Sequence, residues 1–308
     1  MKRTYIYITF IIQVLSCSAA LAQQDAMYSQ YMFNTMAINP AYAGSRNVVS
    51  ATALYRSQWT GIAGAPKTFT FTIDAPVSDK KIGLGLQLFN DKLGITRNTG
   101  VSASYAYRIR MSDQGTLALG IQGTAAQYRA DFTSVALDPY GTSNDAAFRD
   151  NVNQVNFNAG FGAYYNSDRF YVGLSAMELL SNEYYNTTGT PYNPAVHLFL
   201  AAGYVFKLND DFNLKPSVLV KGVKGAPVQA DGDLALWIKD VIAVGATYRT
   251  NADVGATVQL QVSPQIRIGY QYDYSTTKLQ NYNSGSHEIM LRYEFGRNRD
   301  RILTPRYF

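Results

Sequence analysis

The sequence predicts an all-β fold: a transmembrane antiparallel β-barrel of about 14 strands. Three observations carry this expectation. Apolar and polar residues alternate one by one through most of the chain. The alternating runs are about 9 to 13 residues long, the length a tilted membrane-crossing strand requires. The connections between runs are alternately short and long. Composition agrees, because the 308 residues include 24 Tyr and 15 Phe but are only 16% charged, and yet the mean hydropathy is only −0.14. The net charge of +5 is spread along the chain, which does not indicate a nucleic-acid partner.

Residues 1–22 read as a secretory signal peptide. Lys2 and Arg3 form its charged start, Tyr5 to Leu15 its apolar stretch, and Ala20-Leu21-Ala22 its cleavage pattern, so the mature chain is expected to begin at Gln23. The apolar stretch is short for a helix crossing roughly 30 Å of hydrocarbon. Cys17 is the only cysteine. Val14-Leu15-Ser16-Cys17 loosely resembles a lipoprotein cleavage box, with Leu15 and Ser16 imperfect, and lipidation stays open; loss of Cys17 with the leader leaves no thiol chemistry. No later stretch approaches about 18 consecutive apolar residues, so insertion into a membrane must be by strands.

Residues 23–46 precede the first strand. Tyr28, Tyr31, Met32, Thr35 and Met36 recur at helical spacing, and Asn39-Pro40 would end that turn. The segment is expected either to pack at the periplasmic end of the barrel or to enter its lumen as a plug. The barrel itself is expected over 47–296, followed by a periplasmic tail, 297–308.

The strands are expected near 48–59, 67–77, 81–90, 99–109, 115–128, 154–166, 169–177, 195–206, 212–222, 230–239, 241–249, 253–262, 265–275 and 286–296. Phe69, Phe71 and Ile73 alternate with Thr68, Thr70 and Thr72; Ile268, Tyr270 and Tyr272 alternate with Arg267, Gly269 and Gln271. Successive strand side chains point to opposite faces, so one face is greasy and the other small or polar, as in a barrel with lipid outside and polar groups within. Even-numbered connections such as Ser78-Asp79-Lys80, Ser167-Asp168 and Ser263-Pro264 are tight and carry turn chemistry. Most odd-numbered ones are longer, notably 129–153, 178–194 and 276–285, while 250–252 breaks the trend. Trp59, Tyr107, Tyr128, Tyr165, Tyr171, Trp237, Tyr248 and Tyr293 fall toward strand ends, as interface girdles would.

No catalytic constellation, metal-ligand spacing, cofactor motif or phosphate loop is present in the sequence. His197 and His287 are far apart and read as strand residues. Gly83, Gly85, Gly120 and Gly123 are too scattered to cradle phosphate; in a barrel wall, small inward residues make room for lumen contents. The long loops carry Phe132, Tyr140 and Phe148, then Tyr184, Tyr185 and Tyr192, aromatic positions suited to a protein partner.

Tyr28-Ser29-Gln30-Tyr31-Met32-Phe33-Asn34, followed by Asn39, Pro40, Ala41, Tyr42, Ala43, Gly44 and Ser45, resembles the N-terminal signature of the PorP/SprF family of Bacteroidetes outer-membrane proteins. Pro305-Arg306-Tyr307-Phe308 is similar to the usual ending of the family. The resemblance implies a fold similar to the fatty-acid-transporter barrels and a location in the cell outer membrane. It also implies a role in type IX secretion and, in some members, gliding motility. The implied function is to help export or retain large secreted surface proteins. The implied partners are outer-membrane lipid, a secreted adhesin or cargo with a type IX sorting domain, and other secretion-machinery proteins. It brings no catalytic residues, and the chain is expected not to be an enzyme. A transporter or porin for small solutes shares all of the barrel features and is the alternative.

Overall fold

A computed structural model describes residues 34–112, 115–135, 148–180, 184–185, 191–192 and 195–296. The leader expected over 1–22, with Cys17, and the tail over 297–308 lie outside the described residues, as do Tyr28 to Phe33.

The alternating runs form fourteen long strands: β1 (Val49–Ser57), β2 (Lys67–Val77), β3 (Ile82–Leu93), β4 (Thr96–Arg110), β5 (Thr116–Ala130), β6 (Val152–Asn166), β7 (Phe170–Met177), β8 (His197–Tyr204), β9 (Phe212–Val223), β10 (Gln229–Ile238), β11 (Ile242–Arg249), β12 (Asp253–Gln261), β13 (Ile266–Ser275) and β14 (Ser286–Phe295). Each pairs antiparallel with its neighbours in sequence, and β14 pairs with β1 from Val49↔Phe295 to Ser57↔His287. The ring is therefore closed. Closure leaves the ring without a free sheet edge, so backbone groups at lipid depth pair with one another and not with water, which is what hydrocarbon demands.

One end of the barrel carries the tight turns. Ser78, Asp79 and Lys80 hold left-handed backbone there (φ 52, 54 and 67), as do Lys239 and Asp240 (φ 51 and 56). The other end carries the long connections and a two-residue hairpin in which Tyr184 pairs with Tyr192. The third connection departs from the expected long form, because β3 and β4 keep pairing up to Leu93↔Thr96 and leave only Gly94 and Ile95 between them. The greasy alternation stops near Leu88 and Val101, but backbone pairing does not need lipid and continues beyond it. As a result β4, β5 and β6 run 15 residues each, against 8 for β7, β8 and β11. At about 3.3 Å per residue and the usual tilt, this taller wall stands on the order of 10 Å clear of an apolar band about 25 Å high.

Burial is inverted relative to a water-soluble protein. On β2, Thr68, Thr70, Thr72 and Asp74 are buried while Phe69 is 45% exposed. Leu84, Leu86 and Leu88 on β3, and Ile289 and Leu291 on β14, are likewise outward and exposed. Such a surface is stable only where hydrocarbon covers it. Tyr107, Tyr248 and Tyr293 face outward, as a girdle requires, but Tyr171 (3%) and Trp237 (1%) are buried in the lumen. Tyr128 also stands on the inward row of β5, opposite Asn98 and Gln154. Their parity decides this: Tyr171 is in phase with Gly173 and Ser175, and Trp237 with Asp231 and Asp233.

Candidate functional site

The lumen is occupied by the chain itself. Residues 34–46 lie inside the half nearest the tight turns, folded into two 3₁₀ turns, Thr35–Ala37 and Pro40–Tyr42. Proline at the first position of the second turn suits its fixed φ and missing N–H. Asn39 caps that turn, its Oδ1 accepting from the Ala41 N–H at 3.0 Å. The other end of the same amide, Nδ2, donates to the Ala163 carbonyl at 3.0 Å, across β6. Ser175 Oγ donates to the Ile38 carbonyl at 2.5 Å, and Asp74 Oδ2 accepts from the Gly44 N–H at 2.8 Å. The Tyr42 ring meets Tyr164 edge-on at 5.4 Å.

The wall beneath this segment is glycine. A methyl group added at Gly83 would lie 1.9 Å from the Ala43 carbonyl oxygen; at Gly120, 2.3 Å from the Ala41 nitrogen; and at Gly162, 2.1 Å from Asn39 Oδ1. Gly85 and Gly173 meet Met36 and Asn39 in the same way. Inward positions of β3, β5, β6 and β7 therefore lack side chains where Met36 to Ala43 press against the backbone. Gly44 completes the fit, with φ +72 and no room for a side chain, since a Cβ there would lie 2.9 Å from the Gly83 α-carbon and 3.1 Å from that of Pro76. Gly123 has nothing within 4 Å and faces outward. Met36, Ile38, Ala41, Tyr42 and Ala43 form one buried cluster with Ala106, Tyr164, Tyr171, Leu219 and, from the far wall, Met290. Fully burying a side chain such as Met36 contributes about 2 kcal/mol.

Ion pairs line the rest of the lumen. Arg46 Nε lies 2.6 Å from Glu294 Oε1, both nearly inaccessible, and ties the segment to the end of β14. Burial opposes the charge on Arg46, but Glu294 and Tyr42 together outweigh it and hold the guanidinium above its ordinary pKa. Near the loop end, Arg56 bridges Asp273 (2.7 Å) and Glu288 (2.9 Å). Arg249 bridges Asp231 (3.2 Å) and Asp253 (3.0 Å), and Lys221 stands 3.6 Å from Asp231. These groups lie on consecutive strands from β9 around to β1 and form a belt of paired charge. The Arg267 guanidinium covers the Trp237 ring at 4.7 Å. The belt was missed in the sequence because its members are scattered from Arg56 to Glu288; the common signal is their inward parity.

Asn39, Pro40, Ala41, Tyr42, Ala43, Gly44 and Ser45 are thus all buried in one place. The loop aromatics are only partly described. Phe132 and Phe148 meet edge-on at 5.8 Å. Tyr140 lies outside the described residues, and for Tyr184, Tyr185 and Tyr192 only the backbone pairing is described. The two histidines are not brought together: His197 stacks on Phe199, and His287 Nδ1 lies 2.7 Å from the Tyr270 hydroxyl on the outer face.

A closed ring of strands with a greasy exterior and its own N-terminal segment in the lumen defines an outer-membrane β-barrel protein. The chain belongs to the PorP/SprF family, described as type IX secretion system membrane proteins, whose profile matches residues 20–293. No curated protein matches it in sequence. Among solved structures it is similar to the CymD monoaromatic hydrocarbon channel, with 11% identity and a TM-score of 0.48 over 87% of this chain and 93% of that one. It is also similar to the outer membrane protein Omp33 of Acinetobacter baumannii, with 8% identity and a TM-score of 0.47 over 81% and 100%. A third similar structure is a FadL homologue of Pseudomonas aeruginosa, with 13% identity and a TM-score of 0.45 over 86% and 94%. The protein resides in the outer membrane, and its family and fold are those of a membrane-barrel secretion component.

Proposed function

We propose that this chain is a plugged outer-membrane barrel that helps export large secreted surface proteins or retain them at the cell surface. Its cargo would be an adhesin or other protein with a type IX sorting domain, and it would work beside other secretion-machinery proteins. The supporting observation is the glycine seat. A solute porin needs a continuous water path, and the cluster around Met36, Tyr42, Tyr164 and Leu219 is apolar and buried. With the lumen so occupied, the remaining surface for function is the loop end. The Phe132–Phe148 pair in the β5–β6 connection offers an aromatic contact there, and the sequence places Tyr140 in the same connection and Tyr184, Tyr185 and Tyr192 in the β7–β8 connection.

The second reading, a transporter or porin for small solutes, draws on the charged belt, which could act as a constriction. Affinity capture from detergent-solubilised outer membrane separates the two. Recovery of a large protein with a type IX sorting domain is expected. Repeated recovery of the barrel alone, together with steady ion conductance, would favour the transporter.

A further inference from the structure

The outward faces of the strands are almost free of charge. Among the described residues, the outward positions of β1 and of β6 to β14 contain no Asp, Glu, Lys or Arg. The remaining four strands contain one each: Lys67 on β2, Lys92 on β3, Arg97 on β4 and Arg129 on β5. All four are cations and all are exposed. The pairing register sets them directly opposite one another, Lys67↔Lys92, Lys92↔Arg97 and Arg97↔Arg129.

Like charges placed opposite each other across strands repel. Here three such pairs succeed one another in a row about 14 Å long, given the usual strand spacing. Among the described residues, no carboxylate stands on the outward rows to relieve them. The row is flanked by Ser57 and then His287 on one side, and by Asn153 on the other. None of the four forms an ion pair with another described residue. Among the described residues the row has no anion of its own, and its outward face is open to one from the surroundings.

The height of the row says which anion. Toward the turns, each cation is followed within two outward positions by the lipid-facing surface: Phe69 on β2, Leu88 on β3, Val101 on β4 and Ala125 on β5. Between them lie Asn90, Thr99 and Gln127, with Asn90 donating to Thr99. The cations thus stand at headgroup level at the loop end, directly above an acyl-covered face. The hairpin carrying Lys92 and Arg97 is held by the Gly94 N–H donating to the Gly64 carbonyl at 2.8 Å. A ligand with phosphates at one end and hydrocarbon at the other touches both parts at once. An acidic protein would match only the row.

We propose that Lys67, Lys92, Arg97 and Arg129 form a binding site for a phosphorylated glycolipid of the outer leaflet, of the lipid A class. Its phosphates bridge the lysines and the arginine forks, and its acyl chains lie along β2–β5.

Native mass spectrometry of the full-length barrel in zwitterionic detergent tests this, with a diphosphorylated lipid A as probe and its dephosphorylated form as control. Wild type is expected to hold the phosphorylated probe in preference to the control. Each cation near an anionic surface is worth about fivefold, so Lys67→Gln with Lys92→Gln, or Arg97→Gln with Arg129→Gln, lowers retention about thirtyfold. Lys67→Arg with Lys92→Arg retains it. A heat-modifiable gel shift reports folding, and without lipid the glutamine variants are at least as stable as wild type because repulsion is removed. Equal retention by wild type and either double variant overturns the site. So does equal binding of the dephosphorylated control, displacement of the probe by millimolar inorganic phosphate alone, or a double variant that keeps the lipid and loses an acidic protein partner.

Discussion

Asn39 is tied to the barrel wall through its side chain, and the fit depends on what Gly162 lacks. An added methyl group at 2.1 Å from Oδ1 cannot be absorbed by a flexible side-chain tip, since Asn39 is held at both ends of its amide. Gly162→Ala should therefore cost about 1–3 kcal/mol through overpacking, read as a lower temperature for the loss of heat-modifiable mobility. Gly123→Ala, which meets nothing, should change stability by less than about 0.5 kcal/mol; equal effects at the two positions would refute the seat. The Arg46–Glu294 pair makes a second demand. Glu294→Ala leaves a buried guanidinium without its counter-charge and should cost about 3–5 kcal/mol, while Arg46→Ala with Glu294→Ala together should cost less than Glu294→Ala alone. Denaturation of the three variants and wild type gives the coupling. At this scale the sequence was half legible. The run from Asn39 to Ser45 announced itself by resemblance, and Gly83, Gly85 and Gly120 stood out as small inward residues, although Gly123, grouped with them, faces outward. Nothing in one sequence says that these two sets face each other, because the contact joins positions from 39 to 173 through closure of the ring.

Strands were the most readable elements because hydrocarbon imposes a strict period of two on every crossing, and β2 occupies the expected residues 67–77. Boundaries drifted where that pressure ends. Above the lipid the outward positions turn polar at Asn90, Thr99 and Gln127, which stand opposite one another. The ladder nonetheless continues to Leu93↔Thr96, so a rule based on greasiness stops too early. Tyr171 and Trp237 were misassigned for a related reason: ring type was weighed and parity was not, although parity was in the sequence. The long-versus-short asymmetry of the connections makes a topological prediction. Thr133→Cys and Tyr282→Cys, at the loop end, should react with a membrane-impermeant maleimide on intact cells. Asp79→Cys and Asp210→Cys, in tight turns, should react only after the outer membrane is opened. Labelling of the second pair on intact cells would invert the barrel and place the cation row in the other leaflet.

For the whole molecule, the fold makes opposite use of its two faces: the outside is greasy because lipid covers it, and the inside is mostly polar, with an apolar patch where the N-terminal segment meets the wall. Met36, Ile38, Ala41, Tyr42 and Ala43 supply one side of the buried cluster, so taking them away opens the lumen and exposes a wall in which hydroxyls, amides and paired charges surround a smaller apolar patch of Ala106, Tyr164, Tyr171, Leu219 and Met290. Water should enter such a wall readily, since its polar groups would otherwise be left without partners. The full chain in a planar bilayer is therefore expected to be electrically silent, and a chain lacking residues 34–46 to conduct steadily. The belt of Lys221, Arg249 and Arg56 against Asp231, Asp253, Asp273 and Glu288 holds one more carboxylate than cations, which favours cations in that current. If the shortened chain does not fold, Gly120→Ala with Gly162→Ala should loosen the segment and give intermittent openings instead. Wild-type conductance equal to that of the shortened chain would mean that the seated segment does not close the lumen, and the case for an anchor over a porin would fail with it.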